Sequence, residues 1–205
     1  MKRTARTLVC ALATLALTSV ATGAQAHAHA AQRFGPGHHH QRLEHDGSAR
    51  VLRALGRLDR QLVHATRDSR LSPLTDADRA ALQSNAAGDE ATVEAAATAY
   101  SVTPTGSSLA DAKKTLKSLH PARYVAATNI LRRAERTSAA VVVLQGLVDP
   151  GSDDATALTT AAGLLAGIDG SGFSAATDHA TMHAARRAAA QARALVGQVR
   201  ADLGA

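Results

Sequence analysis

The chain has 205 residues and is 45% hydrophobic, yet only 2% of it is aromatic and it contains no Trp. With Phe34, Tyr100, Tyr124 and Phe173 as the whole aromatic complement, a core must be built from Ala, Leu and Val. That material suits closely approaching helices better than β-sandwiches, and a mean hydropathy of −0.09 excludes a polytopic membrane protein.

The first segment reads as an export signal. Lys2, Arg3 and Arg6 form a basic start, Leu8 to Val20 is an uncharged apolar run, and Ala24-Gln25-Ala26, Ala26-His27-Ala28 and Ala28-His29-Ala30 offer small-residue cleavage sites. This layout predicts a signal peptide over residues 1–26 and a protein that is secreted or held at the cell envelope. Removal of that segment corrects the charge. Three of the 23 basic residues leave with it and none of the 17 acids does, so the mature chain carries +3 rather than +6. A balance that small does not call for a nucleic-acid partner. Cys10, the only cysteine, leaves too. The mature protein is then expected to hold itself together by apolar burial, without disulfides or thiol chemistry.

Residues 27–46 read as a disordered His-rich leader, running from His-Ala repeats through Gly35-Pro36-Gly37 to His38-His39-His40 without helical or strand periodicity. From about residue 47 the pattern becomes helical. Val51, Leu55, Leu58 and Leu62 share one face, and Arg67 to Leu71 is expected to carry that helix to its end at Ser72-Pro73. Thr75 or Asp76 can cap a second helix with the stripe Leu82, Ala86, Val93, Ala96 and Tyr100. After a Thr/Pro/Gly/Ser loop, Ser108 with Asp111 resembles a capping pair. A seam at three- and four-residue spacing then runs from Leu109 to Val148, and Pro121 either kinks it or opens a fresh helix. Asp149-Pro150-Gly151-Ser152 stops that element. A helix from Asp153 to about Ile168, a Gly170-Ser171-Gly172 turn, and a last helix from about Ser174 to Leu203 complete the chain. The expected fold is all-α: one domain over residues 47–205, an elongated antiparallel bundle or set of coiled-coil-like hairpins of about four to five helices.

Two stretches resemble uncharacterised secreted α-helical proteins of high-GC Gram-positive bacteria. One runs from Ala110-Asp111-Ala112-Lys113-Lys114 through Arg123-Tyr124-Val125 to Leu131-Arg132-Arg133-Ala134-Glu135-Arg136. The other runs from Ala176-Thr177-Asp178-His179-Ala180 through Ala185-Arg186-Arg187 to Gln198-Val199-Arg200-Ala201-Asp202-Leu203. The resemblance implies an exported helical-hairpin protein and carries no catalytic residues across.

Two constellations bear on function. Six of the ten histidines fall between residues 27 and 45. Cleavage after Ala26 would leave His27-Ala28-His29 at the terminus, where an amine, two backbone amides and the third-position imidazole make a square-planar site for Cu(II) or Ni(II), with His38, His39 and His40 as weaker ligands. The plainer alternative is a solvated leader whose histidines charge in acid. The second constellation is a basic row, Arg50, Arg53, Arg57, Arg60, His64 and Arg67, lying opposite the apolar face of the first helix. It could face an anionic envelope polymer or a lipid surface, or be solvated surface only; without interleaved aromatics it is not a platform for single-stranded nucleic acid. His179 and His183 share a helix face, but Arg186 and Arg187 sit within a turn and oppose a metal, and no Glu follows His179 as in zinc peptidases. Nucleophile-elbow, phosphate-loop and dinucleotide fingerprints are all missing from the sequence. The expectation is a non-enzymatic structural or interaction protein. The partner is open among an anionic polymer, a lipid surface, another protein, or a second copy through an exposed Ala-rich seam; metal binding through the leader is the rival reading.

Overall fold

The computed structural model describes the backbone of residues 38–204 and the side chains of residues 47–204; the signal segment and residues 27–37 of the leader lie outside them. Every regular element among the described residues is helical, as the composition predicts: α1 (His38–Ala65), α2 (Asp68–Leu71), α3 (Asp76–Val102), α4 (Gly106–Ser118), α5 (Ala122–Gln145), α6 (Asp153–Leu165), a 3-10 turn (Gly170–Gly172) and α7 (His179–Asp202).

Helix α1 starts about two turns before the expected onset near residue 47. Gln41, Arg42, Leu43 and Glu44 are good helix formers, so a helix anchored by the buried Leu55, Leu58 and Leu62 propagates backward at little cost. Its other end comes sooner than expected. The Thr66 hydroxyl donates to the Leu62 carbonyl at 3.0 Å, Arg67 turns extended at φ −57°, ψ 142°, and Asp68–Leu71 forms a separate single turn. Arg67 therefore lies beyond α1 rather than on it.

Side-chain caps set most of the other starts. Thr75 accepts the Asp78 N–H at 3.3 Å to open α3. For α4 the cap is Thr105, three residues ahead of the expected Ser108. Thr105 and Ser108 satisfy each other's backbone N–H groups in a capping box, so Asp111 is not needed. The long seam divides at Pro121: Leu119 is extended, His120 follows in irregular backbone, and Pro121, at φ −55°, is already set for the helix it opens. A fresh helix thus forms instead of a kinked one. Ser152 caps α6 through the Ala155 N–H at 3.1 Å, just after Gly151, whose φ of +87° only glycine adopts without strain. Helix α7 begins at His179, five residues later than expected, because Asp178 accepts the Thr181 N–H at 2.8 Å while Ser174 and Thr177 close a turn on each other. That turn sends Phe173 and Ala175 inward.

The interior divides into two clusters. The first gathers Leu55, Leu58, Leu62, Leu71, Leu82, Val93, Tyr100, Ala112, Leu119, Tyr124, Leu131, Phe173 and Met182, from α1 to α4, the first half of α5, the α6–α7 connection and the first turn of α7. The second gathers Ala134, Val141 and Leu144 of α5, Leu158, Ala161 and Leu165 of α6, and Ala192, Val196 and Val199 of α7. Helix α5 runs through both. No helix among the described residues is long and apolar enough to cross a membrane.

Candidate functional site: a cationic surface on a pinned frame

The connection from α6 to α7 is fastened to α3 by a row of polar side chains. Asp78 accepts the Gly170 N–H at 2.6 Å. Asn85 donates to the carbonyls of Gly170, Ser171 and Phe173, the last at 2.8 Å. Asp89 accepts the Ala175 N–H at 2.8 Å and the Tyr124 hydroxyl at 2.7 Å. The Ala175 carbonyl in turn accepts from the His120 N–H and the Arg123 guanidinium, at 2.9 and 2.8 Å. Tyr124 is fully buried; desolvation and the Asp89 carboxylate hold its hydroxyl protonated far above the ordinary range. Glu90 is pushed up by burial and by the carboxylate of Asp59 on α1. Gly170 fits because it has no side chain: a Cβ there would lie 2.6 Å from the Asp78 carbonyl oxygen. All of these contacts are made within the protein. They fix where α7 starts, and so where its arginines fall.

Of the predicted basic row, Arg50, Arg53, Arg57, Arg60 and His64 stand exposed on α1. Arg53 donates to the Ala49 carbonyl of its own helix, and Arg70 donates to Nε2 of His64 at 2.8 Å. Arg67, also exposed, leads into α2. The row therefore exists on α1 up to His64, and the turn after Ala65 sets Arg67 apart.

A second cationic surface lies between α5 and α7. The two helices hold eight arginines against two carboxylates, Glu135 and Asp202, and Glu135 is already bonded to the Thr75 N–H at 2.8 Å. Between them runs a groove in three adjoining stretches of about 540, 390 and 520 Å³. Arg133 lines all three; Arg186 lines the first two and Arg193 the last two, with Arg136 and Arg200 at the far end. Lining positions advance along both helices together, from Ala122 with Arg186 to Ala140 with Arg200, so α5 and α7 flank the groove in the same direction. Among the described side chains the one ion pair is Arg79 with Asp76, on α3. Sequence reasoning missed this groove. Its trace is the seven-residue recurrence of Arg186, Arg193 and Arg200 at the margin of the buried Met182, Ala189 and Val196.

The histidines are less concentrated in space than in sequence. His27 and His29 lie outside the described residues, and His38, His39 and His40 are three successive positions in the first turn of α1, which a helix sets 100° apart instead of on one face. His179 and His183 are both exposed, with rings 4.2 Å apart; among the described residues no three potential ligands gather to hold a metal. No protein-family model, curated protein or solved structure matches the chain.

Proposed function

We propose that this is an exported, non-enzymatic helical protein that works outside the cytoplasm or at the cell envelope by holding anionic material against its arginine-bearing surface. The observation that carries the reading is uncompensated charge: guanidinium groups line α1 and the α5–α7 groove, while a single ion pair, elsewhere, is formed among the described side chains. Arginines left without carboxylate partners keep their full field toward solvent, and that field draws anions and speeds their encounter. The signal-like segment and the resemblance to secreted helical proteins support the location. The α1 row, on the outside of one rod, suits a broad anionic surface.

Sedimentation with phosphatidylglycerol vesicles tests the reading. Binding should be clear at low salt and collapse at high salt, since exposed charges are screened within about 10 Å at 0.1 M. Arg53→Glu/Arg57→Glu/Arg60→Glu should bind on the order of 100-fold more weakly, at about 1 kcal/mol for each arginine lost near such a surface. Binding that ignores both salt and charge reversal would remove the α1 face from the account.

A second reading rests on the order His27-Ala28-His29: Cu(II) or Ni(II) capture at a terminus freed by cleavage after Ala26. Intact mass of the exported protein tests it first. A start at His29 or Ala31 eliminates the site, and a start at His27 should give one equivalent of square-planar Cu(II) on titration.

A further inference from the structure

The α5–α7 groove differs in kind from the α1 row, and the difference identifies its ligand. We infer that the groove is a binding site for one extended phosphodiester chain without bases, a polyol-phosphate polymer. The inference rests on the anionic-ligand reading above but uses other side chains.

Width is the first argument. Packed helix axes lie about 8–10 Å apart, so the recess between two such ridges admits one strand. A duplex, whose major groove alone is about 12 Å wide, is too thick to enter, and a lipid surface cannot follow a recess at all. Length is the second. Arg186, Arg193 and Arg200 recur every seven residues, which sets their backbone positions about 10 Å apart along one wall and the outer two about 21 Å apart. Arg133 and Arg136 face them from the other wall. A linear polyanion satisfies such a series at several points together; a single small anion would use one or two.

The lining supplies the third argument. Between the arginines much of it is Ala126, Ala140, Ala189, Ala190, Ala194 and Gly197, over a floor that includes the buried Ile130 and Val196, low enough for a polymer backbone to lie close while the guanidiniums reach its phosphates in pairs of parallel hydrogen bonds. No aromatic residue lines any of the three stretches, and Tyr100, Tyr124 and Phe173 are all buried. A nucleic-acid strand would find no ring on which to stack its bases, whereas a polyol-phosphate needs none. Binding is non-covalent and asks no proton or electron of the protein.

Calorimetric titration of the full mature protein with poly(glycerol phosphate) of defined length, over a range of salt, tests this. For a single-stranded polyanion, the slope of log K against log salt is about −0.7 per phosphate neutralised; five groove arginines predict about −3.5. Arg186→Gln/Arg193→Gln/Arg200→Gln should cut affinity on the order of 100-fold and make the slope shallower by about 2. The matching triple Lys variant should keep the slope and lose part of the affinity, because lysine keeps the charge without the paired geometry, and it stands in should the Gln variant lose helical circular dichroism. Arg53→Glu/Arg57→Glu/Arg60→Glu should leave affinity for the chain within a few-fold, which separates this site from the α1 face. The inference is overturned if the α7 variants bind normally, or if an oligonucleotide of equal charge binds as tightly as the polymer. Vesicle binding without polymer binding would also overturn it, while leaving the α1 reading intact.

Discussion

The two halves of the interior are made of different materials. The cluster under α1 to α4 contains Tyr100, Tyr124, Phe173, Met182 and many leucines, and it is crossed by buried and half-buried hydrogen bonds that tie α3, α5 and the α6–α7 connection together. The cluster under α5, α6 and α7 is wholly aliphatic, with alanine at Ala134, Ala161 and Ala192. The contrast teaches what each half can do. Large side chains and charge-assisted hydrogen bonds fix a position in three dimensions. Small residues let helices lie close without consuming their flanks, so the margins of α5 and α7 remain free to carry arginines. The first half fixes the frame and bears the α1 row on its outside; the second half presents the groove.

Cutting the cores is the harshest way to probe that division. Leu55→Ala and Leu158→Ala each empty a fully buried site, one per cluster, and each should cost about 2–5 kcal/mol. In denaturant unfolding the double variant should match the sum within about 0.5 kcal/mol, as for sites without shared partners; strong coupling would merge the two clusters into one. Next comes Asp89→Ala, which strips the acceptor from the buried Tyr124 hydroxyl and from the Ala175 N–H. About 1–3 kcal/mol per orphaned donor is expected, with faster amide exchange at Ala175; Tyr124→Phe should cost less and leave Ala175 protected. Gly170→Ala drives a methyl into the Asp78 carbonyl and should cost about 1–3 kcal/mol by overpacking. A lowered polymer affinity in that variant would show the fastening reaching the groove.

The smallest effect concerns Glu90 and its sign can be worked out. Burial and Asp59 raise its folded pKa above the ordinary 4.5. The favourable contribution of the protonated form is complete below about pH 4.5 and is lost as pH rises through the folded value. Glu90→Gln should therefore melt slightly higher than the parent protein at pH 7, and the advantage should fade as pH falls through the raised folded value and be gone below about 4.5. An advantage that persists in acid would point to packing rather than charge.

Much of this was readable from residues alone. The buried stripe of α1, Thr75 as a cap and Asp153 as a helix start follow from local rules that the structure obeys, whereas α5 ends at Gln145, a turn short of the stop expected at Asp149. Three boundaries moved for local reasons: the backbone turns extended at Arg67 after α1, Thr105 pre-empts Ser108, and Asp178 starts α7 late. The fastening of the α6–α7 connection left a sequence trace, since Asp78, Asn85 and Asp89 interrupt the same face of α3 that carries Leu82, Ala86 and Val93. What they bind is more than eighty residues away in the chain, and periodicity carries no such information. The groove was hidden for a related reason. Its arginines sit on helices that are neighbours in space with α6 between them in sequence, so only tertiary packing brings Arg133 opposite Arg186 and Arg193.

The most direct test follows the arginine Nε–H signals by NMR while poly(glycerol phosphate) is added at low salt. The account predicts that Arg133, Arg186, Arg193 and Arg200 shift together and saturate together, while the Ala175 amide and its neighbours on the frame stay still. If no arginine signal on α5 or α7 moves, or if the shifts gather instead around Asp89 and Tyr124, the division between a positioning half and a presenting half is wrong.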